Sequence, residues 1–186
     1  MQTNGYVTLP VTSYDAWKAA VNGNGYNANQ DQFGDQCWDL TAEFWYNIGF
    51  PQGYPSTGGT GAAYGCWDAR TLNAGNAFDL IYDKTDIKRG DVVVYNHFPG
   101  NDFGHIGFAD EDYPGHDAIN ILSQNNGGTP YSGGGSYTNV NDYDLQYFLG
   151  AFRYKGWQHS PYITAQPPKR KKFPWVLYSR KLRNKY

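Results

Sequence analysis

The chain changes its hydrophobic period once, around Lys88-Arg89-Gly90, and that change bounds what it can fold into. Before it, Cys37, Leu40, Phe44 and Ile48 recur at i, i+3, i+7 and i+11, which puts them on one face of a helix over residues 37–48 that Gly49 ends. Residues 14–21, with Ser13 as N-cap and Asn22-Gly23 as the stop, predict a shorter helix. Residues 76–82 are expected to form a third, and residues 51–65, rich in Gly, Ser, Thr and Pro, to be loop. Beyond Gly90 the pattern becomes short β-branched and aromatic runs at residues 91–95, 105–109, 119–123 and 147–154, separated by turns rich in Gly, Asn and Asp. Helices first and antiparallel strands afterwards predict an α+β fold, with N-terminal helices packed on an antiparallel sheet.

At 186 residues the chain is the size of one ordinary domain, and an aromatic content of 18% excludes disorder along its whole length. No stretch approaches the roughly 20 apolar residues that a bilayer span needs. The first five residues, Met1-Gln2-Thr3-Asn4-Gly5, have neither a basic nor an apolar signal region. The expectation is therefore synthesis in the cytoplasm without a signal peptide, and no membrane insertion. Charge divides the chain: 7 basic and 17 acidic residues precede residue 169, and 8 basic residues with no acidic one follow from there. An acidic body repels phosphate, and there is no Gly-rich phosphate loop, so nucleic-acid binding and nucleotide chemistry are both disfavoured. The composition turns to Pro and basic residues past Trp157. A compact domain is expected over residues 1–160, with 161–186 as a basic, Pro-containing appendage or linker.

Two cysteines cannot make a disulfide scaffold, although a Cys37 to Cys66 bridge remains an alternative. Cys37 stands at a predicted helix N-terminus, where unpaired amides and the helix dipole favour a thiolate; the competing reading is a buried apolar cysteine. Cys66 lacks that context and reads as buried. A nucleophilic cysteine needs a base close in space, and His105, opening a strand in Gly104-His105-Ile106-Gly107, has a glycine on each side that permits close approach. His97, His116 and His159 read as surface residues, and the spacing of His97, His105 and His116 fits no common zinc pattern. In Ser123-Gln124-Asn125-Asn126, at the end of an apolar strand, Asn125 offers a partner for the second imidazole nitrogen.

Three stretches resemble the CHAP family, the cysteine, histidine-dependent amidohydrolases and peptidases of the papain-like superfamily, many of them bacteriophage peptidoglycan hydrolases. They are Asp35-Gln36-Cys37-Trp38-Asp39, then Gly90-Asp91-Val92-Val93-Val94-Tyr95 followed by Gly104-His105-Ile106-Gly107, and Ser123-Gln124-Asn125. The resemblance spans roughly residues 14–154. It implies a papain-like (NlpC/P60-type) fold, with Cys37 as nucleophile, His105 as general base and then acid, Asn125 as the residue orienting the imidazole, and Gln36 beside the oxyanion pocket. Several lytic members have a Glu where this chain has Ser123. Some also hold calcium before the cysteine, which here implies Asn29, Asp31 and Asp39 as ligands, with Asp35 nearby; a solvated polar loop with a capping Asp accounts for the same residues.

The function so implied is that of a phage lysin, acting from the virion or released at lysis, which cleaves an amide bond of bacterial peptidoglycan through a thioacyl intermediate. The alternative is a non-catalytic wall-binding or tail-structural module on the same fold, with Trp67 and Tyr131 as exposed carbohydrate platforms. The basic segment reads as a solvated linker, or as a means of reaching anionic wall polymers or a phage structural protein.

Overall fold

The computed structural model describes residues 1–30, 34–126 and 136–157. Its elements in chain order are β1 (Gln2–Asn4), α1 (Tyr14–Val21), β2 (Gly25–Asn27), α2 (Cys37–Asn47), α3 (Gly65–Asp68), α4 (Arg70–Ala74), β3 (Phe78–Ile81), β4 (Val92–Tyr95), β5 (His105–Ala109), β6 (Ala118–Ser123), β7 (Asn139–Asp144) and β8 (Phe148–Tyr154). Strands β1 and β2 pair in parallel. The other six form a sheet in the order β3-β8-β4-β5-β6-β7, with every neighbouring pair antiparallel. The fold is thus α+β.

Local chemistry explains the two longer helices. Ser13 Oγ accepts from the Ala16 amide at 3.1 Å and starts α1, which buries Tyr14, Trp17 and Val21. Helix α2 buries Leu40, Phe44 and Trp45. These side chains meet Val92, Val94, Ile106, Phe108 and Phe152 from one face of the sheet in a single aromatic-rich cluster. Phe44 lies at its centre, with ring centroids 5.3 Å from Phe108 and 4.7 Å from Trp157. Each fully buried large side chain of this kind contributes about 1.5–3 kcal/mol. The opposite face holds a second cluster that includes Val93, Tyr95, Ile119, Ile121 and Ala151. At the sheet centre, Asp91 accepts from Arg153 Nε at 2.9 Å and from Nη2 at 2.7 Å, which ties the start of β4 to β8.

Two expectations are corrected. Residues 76–82 do not form a helix: residues 78–81 are an edge strand paired with β8 from Phe78↔Tyr154 to Ile81↔Ala151. Phe78 turns inward to stack on Trp45 at 4.5 Å while Asp79 is exposed, so sheet pairing and a two-residue alternation override helix propensity. Residues 65–74 form the two short helices α3 and α4 in a stretch assigned no regular structure. Trp157, the last described residue before the basic segment, is buried and donates to the Val11 carbonyl at 3.0 Å. The packed core therefore reaches at least residue 157. Residues 158–186, including His159 and the whole basic appendage, lie outside the described residues. No helix among the described residues is long and apolar enough to cross a membrane.

Candidate active site

Cys37 is the first residue of α2, as its sequence context predicts, and it is half-buried. The turn is fixed by Asp39, whose carboxylate accepts from the Gln36 amide at 2.9 Å and from the Ala28 amide at 2.9 Å. These bonds satisfy one orphan donor at the helix start and clamp the preceding loop to it. Burial pushes the Cys37 thiol up to about 11. The Ile106 amide works against that rise, as do the amides of Trp38 and Cys37 itself, whereas the Asp39 charge adds to it. Burial is the largest of these effects and opposes the thiolate that the helix start favours.

His105 opens β5 and is 2% exposed. Desolvation pushes its imidazole down to about 3, which favours the neutral ring. The preceding Gly104 has φ +67°, and a Cβ there would lie 2.4 Å from the Tyr95 carbonyl oxygen, so only glycine makes this turn into the strand. The glycine on the other side serves the neighbouring strand. A Cβ on Gly107 would lie 2.7 Å from Ser123 Cβ and 2.6 Å from Ile121 Cγ2, so its absence lets β6 close in. As a result Ser123 Oγ sits 2.7 Å from His105 Nε2. Tyr143 of β7 stacks on the imidazole with centroids 4.4 Å apart and planes at 15°. Its hydroxyl is pushed up first by burial and then by charge on the Cys37 sulfur. The Cys37 sulfur, which bears on the Ile106 amide, thus comes to the start of β5, the strand that His105 opens.

Asn125 is not the partner of the imidazole here. It follows the end of β6 in a left-handed conformation, φ +50°, which swings its side chain outward to donate from Nδ2 to Gln36 Oε1 at 2.8 Å. Gln36 and Asn125 therefore meet each other beside Cys37. Gln124 joins the two halves of the site: its Nε2 donates to the carbonyl oxygens of Gln36 at 3.0 Å and Tyr26 at 2.9 Å, and its Oε1 accepts from the Tyr26 amide at 2.7 Å. Sequence reasoning assigned no role to Gln124 or Tyr143.

The remaining candidates separate clearly. Cys66 is fully buried, and both cysteines are free thiols. His97 and His116 are exposed. Trp67 is 7% exposed and fills the space over Gly150, so it is no surface platform; burying its indole against Phe152 outweighs exposing it. Tyr131 lies outside the described residues. Of the expected calcium ligands, Asp39 turns both carboxylate oxygens to backbone amides, Asn29 is exposed, and Asp31 lies outside the described residues. Among the described residues no group of three or more His, Cys, Asp and Glu side chains is arranged to hold a metal.

Searched against models of known protein families, the chain matches none. It is 30% identical over 156 residues to the D-alanyl-L-alanine endopeptidase of Streptococcus phage B30, a match covering 83% of this chain. The chain spans about a third, 33%, of that relative's length. Among solved structures, the endolysin LysIME-EF1 superposes with a TM-score of 0.58 at 21% identity, covering 82% of this chain and 67% of that one. Ly7917 superposes with a TM-score of 0.44 at 20% identity, covering 64% of this chain and 53% of that one. The similarity to LysIME-EF1 concerns the fold.

Proposed function

We propose that this chain is a cysteine-dependent hydrolase of peptidoglycan amide bonds, a phage lysin on a CHAP-type, papain-like scaffold. The observation that carries the reading is a thiol at the start of α2 whose sulfur bears on the Ile106 amide, the residue directly after the buried His105 that opens β5. The name and phage origin of the endopeptidase relative support it, as does the fold shared with an endolysin.

The chemistry starts from neutral partners. As the scissile carbonyl approaches, the Cys37 proton passes to His105 and the sulfur attacks the carbonyl carbon, forming a C–S bond. The oxyanion develops beside the Cys37 amide and the Gln36 side chain, the two donors at the helix start suited to meet it. Collapse breaks the C–N bond, His105 returns the proton to the leaving amine, and a thioacyl intermediate remains. Water, deprotonated by His105, then releases the acid and regenerates the thiol. Burial of both groups keeps the resting site uncharged and confines proton transfer to the substrate-bound state.

The relative's name favours an endopeptidase over an amidase, with a bond between D-alanine and L-alanine as the first candidate. Purified wall digested with the protein and analysed by mass spectrometry should then show new D-Ala carboxyl and L-Ala amino termini. Free N-acetylmuramic acid lactyl groups would instead assign an amidase, and no new termini from any susceptible wall would remove the enzymatic reading. Action at the cell wall, and an attraction of the basic segment to anionic wall polymers or a phage structural protein, complete the proposal.

A further inference from the structure

We propose that Ser123 is the positioning residue of the imidazole, fixing His105 as the tautomer protonated on Nε2 so that Nδ1 is the nitrogen left to act as base. The hydroxyl lies among three polar atoms: His105 Nε2 at 2.7 Å, the Gln124 carbonyl oxygen at 3.0 Å and the Ile106 carbonyl oxygen at 3.2 Å. A serine hydroxyl has one proton to give, and a carbonyl oxygen accepts only. If that proton went to Nε2, the hydroxyl oxygen would face two carbonyl oxygens with lone pairs alone, inside a fully buried site. If instead Nε2–H donates to Oγ, the hydroxyl proton goes to a carbonyl oxygen and the network is satisfied. The two carbonyls therefore decide the tautomer, and Ser123 transmits the decision.

The surroundings hold this arrangement. Tyr143 covers one face of the ring in a near-parallel stack, so tilting the imidazole out of its plane breaks the stack, while a half-turn about its Cβ–Cγ bond would put a carbon where Nε2 meets Oγ. Gly107 supplies the space that lets Ser123 approach. Asn125 is engaged with Gln36 instead.

The role in catalysis rests on the hydrolase reading above: the proton leaving Cys37 arrives on Nδ1, the imidazolium then carries a proton on each nitrogen, and Oγ accepts from Nε2 before and after. A small neutral hydroxyl suits this position because the ring stays uncharged at rest, so no buried carboxylate is needed to balance it.

The tautomer is read without reference to activity by long-range proton–nitrogen correlation spectra of the full chain labelled with [15N]histidine, the His105 signals being assigned from their loss in His105→Gln. At neutral pH the wild type should show a protonated Nε2 and an unprotonated Nδ1. Ser123→Ala should give a mixture of tautomers, Ser123→Thr should keep the wild-type pattern, and Asn125→Ala should leave the His105 signals in place. Wall hydrolysis by Ser123→Ala should fall about 10- to 100-fold in kcat with little change in KM, the magnitude of one lost bond to an imidazolium. An Nδ1–H tautomer in the wild type, or an unchanged spectrum in folded Ser123→Ala, overturns the assignment. Absence of wall hydrolysis in a wild type that shows the Nε2–H tautomer would instead strike at the hydrolase reading and leave this placement intact.

Discussion

The starts of α2 and α3 both carry a cysteine, Cys37 in one and Cys66 in the other, and they differ in almost everything else. Helix α2 runs for 11 residues behind an Asp39 cap, and the carbonyl of its preceding residue, Gln36, is held by Gln124. Helix α3 has 4 residues, and the residue before it, Tyr64, sits in helical backbone with no side-chain cap. Cys37 is half-buried, with the amides of Ile106, Trp38 and Cys37 itself bearing on its sulfur. Cys66 is enclosed, and burial pushes its thiol higher still, with charge on Cys37 as the next cause. A helix start alone does not make a thiol reactive. Access and converging amides distinguish the surroundings of the first cysteine from those of the second.

The largest expected effects test that contrast directly. Cys37→Ala should reduce wall clearing, followed by turbidity, to background while leaving the circular dichroism spectrum unchanged. Cys66→Ala should keep most of the clearing but lose about 1–2 kcal/mol in urea unfolding, because it empties a small volume in a packed core. In the native protein iodoacetamide should modify Cys37, slowly at neutral pH and faster toward pH 11, and should reach Cys66 only after unfolding. The reverse labelling order would mean that the roles of the two helix starts have been exchanged.

The next effect concerns acids. Asp68 of α3 is exposed, whereas α2 buries both Asp39 and Glu43. Glu43 accepts from the Val7 amide at 3.1 Å, but burial, with the Asp39 charge, pushes its carboxyl up to about 7 from 4.5. Between those values the folded state holds a proton that the unfolded state has released, so this group makes stability fall as pH rises from 4.5 to 7. Above pH 7 the ionised carboxyl costs about 2 kcal/mol after allowance for solvent screening. His105 has the opposite sign: between pH 6.5 and 3 the unfolded chain takes up a proton and the native imidazole does not, so acidification destabilises. Glu43→Gln should therefore raise Tm at pH 8 and have a smaller effect at pH 5, measured by calorimetry. An equal effect at both pH values would place the Glu43 carboxyl in ordinary contact with water.

The same contrast explains how much was legible in the sequence. Helix α2 is readable because its cap, its apolar spacing and its stop all agree, and strands β4, β5, β6 and β8 because they lie inside the sheet and are rich in Val, Ile and Phe. Within the six-stranded sheet the strands misread or missed, β3 and β7, are its two edges, and the short parallel pair β1 and β2 also went unread. An edge strand faces water along one side, so Asn139-Val140-Asn141-Asp142-Tyr143-Asp144 shows little apolar periodicity, and Tyr143 went unseen with it. The placement of Cys37 at a helix start and of His105 at a strand start was legible from their local sequence context. The side-chain direction of Asn125 was not legible, because it depends on a left-handed backbone that an Asn permits but does not announce.

The smallest expected effect tests what organises the start of α2. If Asp39 serves as a cap, Asp39→Ala should cost about 1–2 kcal/mol by removing the acceptor for the Gln36 and Ala28 amides. Asp39→Asn should recover part of that, since its side-chain oxygen can still accept from one of the two amides. Because Gln36 and Cys37 share this turn, Asp39→Ala should also lower wall hydrolysis, whereas no corresponding side chain exists to be removed at the start of α3. A metal-holding Asp39 predicts a different pattern. An ion bound only by the native state would stabilise it by mass action, so EDTA would lower Tm and added calcium would restore it. With both carboxylate oxygens turned to amides, the expectation is a Tm unmoved by EDTA in the wild type, and a loss in Asp39→Ala that calcium does not repair. A chelator-sensitive Tm that calcium rescues in the wild type but not in Asp39→Asn would show that the turn is held by an ion as well as by its cap.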